Sequence, residues 1–171
     1  MLEDEIIKCR YQLLTWQVKK INVEINQDKK VVSQKISSLG FNKSYNQLLD
    51  EIDNFIYTQT SNVVNAGMIS NLRALMADLL KDVANRIAEK GGETIPTIKG
   101  HGELGNVRGY LKTKLDLSSN DDKFIDSFVD ILHSEGGHAF MSEKEYFRLA
   151  RNIAIEIALF ILSKYEKKFK S

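Results

Sequence analysis

The chain has 171 residues, a length typical of a single domain. Hydrophobic residues make up 43% of it, which is enough for a core, and the formal net charge of +1 excludes a global field that attracts nucleic acid or an acidic membrane. The single cysteine, Cys9, excludes an internal disulfide and is typical of the reducing cytosol. The N-terminus is acidic and the longest apolar run, 153–162, has about half the length that crosses a bilayer, so we expect a cytoplasmic protein without a membrane segment.

The first 60 residues predict three helices. Apolar side chains recur at helical spacing between residues 2 and 26, which predicts a long first helix. The polar stretch Asn26–Lys30 is expected to break it. A shorter helix through Val32 and Ile36 is then expected to end at Gly40, because glycine suits the left-handed conformation of a helix end. A third helix is predicted from Ser44, which has capping-box spacing to a glutamine three residues later.

The middle of the chain predicts two helices separated by a long connector. Asn65 is expected to cap the first, which carries the clearest amphipathic stripe of the chain and ends at Gly91 and Gly92. Six of the ten glycines and the only proline fall within 91–109, which predicts an irregular connector. A short helix is expected through 104–115, followed by a turn at 118–120.

The last third predicts two more helices. One runs through 124–132 into Gly136 and Gly137. The other opens at Ser142, with capping-box spacing to an acid three residues later, and extends to about Phe169. Its middle is apolar nearly all round, so we expect it at the centre of the molecule. Because alternation typical of strands is nearly absent, the sequence predicts an all-α bundle of six to seven helices.

Ionisable side chains cluster where the last two predicted helices meet. The segment 130–138 contains His133, Glu135 and His138. Imidazole has an ordinary pKa near neutrality, so these histidines are candidates for acid–base chemistry or for contact with phosphate. The alternative is that His133 complements the helix dipole and His138 is a turn residue. The spacing of the two histidines does not place them on one helix face, and we expect no metal.

The last predicted helix also has a polar face, formed by Glu145, Arg148, Asn152 and Glu156. Glu156 lies in an apolar stretch, where burying a carboxylate is costly unless it is paired. Two interpretations follow: this face lines a polar groove, or Glu156 pairs with an arginine. The candidate arginines are Arg73, Arg86, Arg108 and Arg151.

Lysines at the end of the same helix are further candidates for binding phosphate. They are Lys164, Lys167, Lys168 and Lys170, and they either contact phosphates or complement the helix C-terminus. The glycine-rich stretch 100–109 lacks the Gly-Lys-Ser/Thr ending and the preceding strand of a phosphate-binding loop, and no cofactor is expected.

From about Asn65 to Phe169 the order of features resembles the HEPN group of helical domains, which occur in prokaryotic toxin–antitoxin, abortive-infection and other phage-defence systems. The resembling parts are NLRALMADLLKDVANRIAEKGG, ELGNVRGYLKTKL, FIDSFVDILHSEGGH and SEKEYFRLARNIAIEIALFILSKYEKKF. The resemblance divides the chain into an N-terminal helical extension, 1–60, packed on a HEPN-like bundle, 61–171, within one compact domain.

The resemblance also implies a site. Members of the group often carry Arg-x4-6-His just before the last helix, and they cleave RNA where two copies meet. Here His138 falls at the place of that histidine and His133 at the place of the arginine. His138 is then the acid–base or phosphate-contacting residue, and His133 a partly protonated substitute for the arginine. The residues implied to contact RNA or to support the two histidines are Glu135, Arg148, Asn152 and Glu156.

Two functions are expected from these observations. The first is a HEPN-like module of a bacterial phage-defence or toxin-related protein, a homodimer that binds or cleaves RNA at the histidine junction. The second is a non-catalytic module that dimerises or docks a partner protein, as the C-terminal part of a larger defence protein or alone. The near-neutral charge favours the second function, as does the loss of a permanent cation that stabilises phosphate chemistry.

Overall fold

The computed structural model describes residues 26–58, 61–134 and 141–170. These residues form six helices, which we number α1 (26–38), α2 (Ser44–Thr58), α3 (Ala66–Gly91), α4 (Glu103–Lys114), α5 (Ser119–His133) and α6 (Lys144–Phe169). Within these ranges there is no strand, and Val63 and Glu143 form an isolated antiparallel bridge. The all-α prediction is confirmed, while the helix predicted before residue 26 lies outside the described residues.

Several predicted helix ends form as their residue types dictate. Asn65 has extended backbone, and its side chain accepts a hydrogen bond from a backbone N–H of the first turn of α3. Gly92, with φ +64°, ends that helix in the left-handed conformation. Gly40, with φ +74°, ends α1, and the Phe41 N–H donates back to the Ile36 carbonyl oxygen at 2.9 Å.

The predicted break at Asn26–Lys30 is wrong, because these residues are helical and belong to α1. Their polar side chains are used in tertiary contacts instead. Lys29 Nζ lies 2.7 Å from Asp50 Oδ1 and 2.6 Å from Asp53 Oδ2, both on α2. Charged partners on a neighbouring helix therefore override the weak helical signal of this stretch.

Three predicted helix starts differ in detail. Ser44 is already inside α2, and its N–H donates to the Asn42 side chain at 3.0 Å, so Asn42 replaces the predicted serine cap. The cap position of α6 is Glu143, whose side chain makes no capping bond. Residues 118–120 are not a turn, because Ser118 and Asp121 form a reciprocal capping box that starts α5.

The centre of the bundle is formed by α3 and α6. Helix α3 packs against α2, α4, α5 and α6. Helix α6 has buried side chains from Phe147 to Tyr165, in agreement with the central place predicted for the last helix. Helix α1 runs alongside α6 in the same direction, since Asp28 lies beside Glu156 and Lys35 pairs with an acid further along α6.

One apolar core extends through all six helices. None of the helices in the described part of the chain is long and apolar enough to cross a membrane.

Candidate functional site

The predicted histidine junction begins where α5 ends. His133 is the last residue of α5 and is exposed, and its Nδ1 lies 2.8 Å from the Val129 carbonyl oxygen. Because a carbonyl oxygen only accepts, Nδ1 donates this bond, and Nε2 of the neutral ring has a lone pair that can accept a proton. The ring also lies at a helix C-terminus, where the dipole favours a cation. Glu135 and His138 lie outside the described residues.

Arg148 and Asn152 make contacts within α6. Arg148 Nη2 donates to Glu145 Oε2 at 3.0 Å, in an exposed ion pair one helical turn long. Such a pair is weak in water, so the guanidinium remains available to an anion. Asn152 Oδ1 accepts a hydrogen bond from Arg151 Nη1 at 3.0 Å, and therefore supports a buried arginine.

Glu156 is exposed, and the interpretation that it pairs with an arginine is wrong for the described residues. Its neighbour is Asp28 of α1, and partial burial together with this second carboxyl group raises the pKa of Glu156 above its ordinary value. Three of the candidate arginines have other partners: Arg86 donates to the Leu39 and Gly40 carbonyls, Arg108 to Asp130, and Arg151 to Asp53. Glu156 instead lines a groove between α5 and α6.

A buried charged cluster joins α1, α2 and α6, and the sequence reasoning missed it. Arg151 is 1% exposed, and its Nε and Nη2 donate to the two carboxylate oxygens of Asp53 at 2.8 and 2.9 Å. Lys29 supplies a second cation to the same carboxylate. The available signal was the position of Asp53 in the apolar stripe of α2, one residue after the buried Ile52.

The groove runs along the second half of α6, against the start of α5 at one end and against Leu115 and Asp116, which follow α4, at the other. Its basic end has a volume of about 480 Å³ and is lined by Leu115, Asp116, Phe160, Ser163, Lys164, Lys167 and Lys168. Its aromatic end has a volume of about 330 Å³ and is lined by Asn120, Asp121, Phe124, Ile125, Glu156, Ile157 and Phe160. Phe160 lines both ends and therefore lies between them.

Charges and an aromatic ring meet at the basic end. Lys168 pairs with Asp116 and holds the pKa of that carboxyl below its ordinary value. Asp116 has φ +50°, a left-handed conformation that aspartate tolerates better than most residues. Lys164 Nζ lies 5.4 Å from the centroid of the Phe160 ring, within the range of a cation–π contact. Lys164 therefore stands where the two ends of the groove meet.

The aromatic end of the groove and His133 lie at opposite ends of α5. Asn120 lines the groove and His133 ends the helix. At 1.5 Å per residue, this separation is about 20 Å. Sequence reasoning identified the lysines and the histidines separately, and the structure places the lysines on α6 and His133 at the end of α5.

Comparison with known proteins gives no match to a family model, to a curated protein or to a solved structure. Over the described ranges, no group of three or more His, Cys, Asp or Glu side chains is arranged to hold a metal ion. The groove and the end of α5 are therefore the candidate sites of function.

Proposed function

We propose that the chain is an RNA-binding helical module of HEPN-like arrangement. The observation that carries this proposal is the basic end of the groove, where Lys164, Lys167 and Lys168 line one surface. Contacts between lysine and phosphate supply most of the sequence-independent affinity of proteins for nucleic acids. The net charge of +1 sets no long-range field, so the attraction is local to this groove.

RNA bound in the groove reaches the histidine junction by running along α5. The separation of about 20 Å corresponds to a few nucleotides of extended strand. In this proposal one of His133 and His138 accepts the proton of a ribose 2′-hydroxyl, which attacks the adjacent phosphate. The other histidine, protonated, donates a proton to the 5′-oxygen that leaves. The exposed His133 side chain, with Nδ1 occupied by a backbone carbonyl, supports the accepting role for its Nε2.

The wider setting of this proposal comes from the sequence. The resemblance to the HEPN group supports a role in a bacterial phage-defence or toxin-related system. The lone cysteine supports a cytoplasmic site of action.

The test is the binding and cleavage of labelled tRNA and total RNA in metal-free buffer. The double variant Lys164→Gln/Lys167→Gln should bind more weakly, and the dependence of log affinity on log salt should become shallower by about 1.4, because two single-strand phosphate contacts are lost. Lys30→Gln, at an exposed lysine of α1 outside the groove lining, is the matched control. His138→Ala should abolish cleavage and leave binding unchanged. RNA that is neither shifted nor cleaved by the wild type contradicts the proposal.

A second candidate function, a module that dimerises or docks a partner protein, is favoured by exposed apolar side chains of α5 and α6. Ile131, Tyr146 and Leu149 are 45%, 41% and 49% exposed. Tyr146 and Leu149 lie one turn apart on α6, and neighbouring exposed apolar side chains are typical of surfaces that a partner covers. Light scattering after size exclusion, over a range of concentrations, should show a dimer that Leu149→Ser weakens and that Ile98→Ser, at a similarly exposed residue of the 93–102 connector, does not. A monomer at every concentration contradicts self-association.

A further inference from the structure

The aromatic end of the groove offers recognition chemistry that phosphate contacts do not. Phe124 is 54% exposed, although it is a large apolar side chain, and it lines the same groove as Phe160. Lys164 lies over one face of the partly buried Phe160 ring, so Phe124 is the exposed ring of the groove. Aromatic rings beside a row of lysines are the combination on which proteins stack unpaired bases.

Charge divides the groove into two chemically different ends. Asp121 and Glu156 line the aromatic end, and the lysines line the basic end. The Ser118 side chain and backbone hold the pKa of Asp121 below its ordinary value, so its carboxylate is ionised at neutral pH. Carboxylates repel phosphates but accept hydrogen bonds from the amino groups of bases. Phosphates are therefore favoured at the basic end and bases at the aromatic end.

We propose that the groove selects single-stranded RNA over duplex RNA, by stacking an unpaired base on Phe124 while the lysines contact the backbone. This inference rests on the RNA binding proposed above and specifies the form of RNA that binds. In a duplex the bases are stacked on each other and their faces are closed, whereas lysines reach the phosphates of both forms.

The test is fluorescence anisotropy with the full chain and a labelled RNA strand of about 12 nucleotides, free or paired with its complement. Phe124→Ala and Phe124→Leu should each weaken single-strand binding by at least about five-fold, which corresponds to the loss of one stacked base. Both should leave duplex binding and the salt dependence unchanged, because no phosphate contact is lost. Leucine keeps apolar bulk without a π-face, so its effect identifies stacking. Tyr57→Ala is the matched control, at an aromatic residue of α2 that is 57% exposed and outside the groove lining.

The outcomes separate this inference from the proposed function. Equal affinity for single strand and duplex, or undiminished binding by Phe124→Leu, overturns the stacking inference. In that case a loss caused by Lys164→Gln/Lys167→Gln still supports RNA binding. If the wild type binds no RNA in either form, both proposals are overturned. Single-stranded DNA of the same sequence should bind within a few-fold of the RNA, since stacking needs no 2′-hydroxyl, and failure of DNA to bind overturns stacking as the basis of recognition.

Discussion

Replacing Asp53 with alanine removes the carboxylate that Arg151 and Lys29 share where α1, α2 and α6 meet. Arg151 is 1% exposed, and in the variant it keeps the Asn152 side-chain oxygen but no longer faces the Asp53 carboxylate. A buried cation without its counterion is costly, because its desolvation is not offset. We expect the free energy of unfolding to fall by about 3–5 kcal/mol.

Removing the other partner of the pair, by Arg151→Met, should lower the free energy of unfolding less than Asp53→Ala does. Asp53 then keeps Lys29 Nζ at 2.6 Å, and its side chain is 12% exposed, so the remaining carboxylate stays paired and partly hydrated. Methionine also fills part of the space left by the arginine stem. The double variant should be less destabilised than the sum of the single variants, because it buries no unpaired arginine.

Urea unfolding followed by circular dichroism measures these free energies. For a chain of this length the loss in Asp53→Ala corresponds to a decrease in Tm of roughly 6–20 °C. Asp50→Ala is the matched control, since Asp50 binds the same lysine but its side chain is 67% exposed, and it should cost less than about 1 kcal/mol. A larger loss for Arg151→Met than for Asp53→Ala, or equal losses for Asp53→Ala and Asp50→Ala, refutes the reasoning.

Four further substitutions test local features of the fold. Gly40→Ala should destabilise the fold by about 1–2 kcal/mol, because the φ of Gly40 is +74°. Gly109→Ala should stabilise it by about 0.5–1 kcal/mol, because Gly109 lies inside α4 and the nearest side-chain atom would be 3.9 Å from the added Cβ. Urea unfolding of both variants measures this difference in sign. Asn65→Ala should cost about 1 kcal/mol in the same assay through loss of the α3 cap, and no loss contradicts the capping role. Glu156→Gln should raise Tm at pH 7, because burial and Asp28 raise the pKa of Glu156 and so disfavour its charged form in the folded state. This gain should disappear in melts below the ordinary pKa of 4.5, where the glutamate is protonated in both states, and a gain that persists there contradicts the assignment.

The helices were predictable where apolar spacing and end residues agree. The stripe of α3, its Asn65 cap and its Gly92 end all depend on residues close in the chain, and they form as predicted. The break at Asn26–Lys30 was predicted wrongly, because the partners of Lys29 lie on α2, more than 20 residues away. The composition of a short segment does not indicate partners that are so distant in sequence.

The candidate site was less predictable, because its contacts join residues distant in sequence. Arg151 binds Asp53 across 98 positions in the sequence. The neighbour of Glu156 is Asp28 of α1, which is also distant in sequence, so neither contact could be predicted from one segment alone. Phe124 has the spacing of a helix core residue but is 54% exposed. The groove exists only once α5 lies beside α6, so the sequence supplied its lysines without their aromatic neighbours.

The position of α3 determines how the bundle opens. Four helices pack on α3, so we expect the amide hydrogens in its buried middle to be among the slowest to exchange with solvent. Helix α1 is joined to its neighbours in part by the ion pairs of Lys29 and Lys35, which salt weakens, so its amides exchange through smaller openings. A ligand bound in the groove between α5 and α6 contacts the outside of this arrangement and leaves the slowly exchanging interior intact.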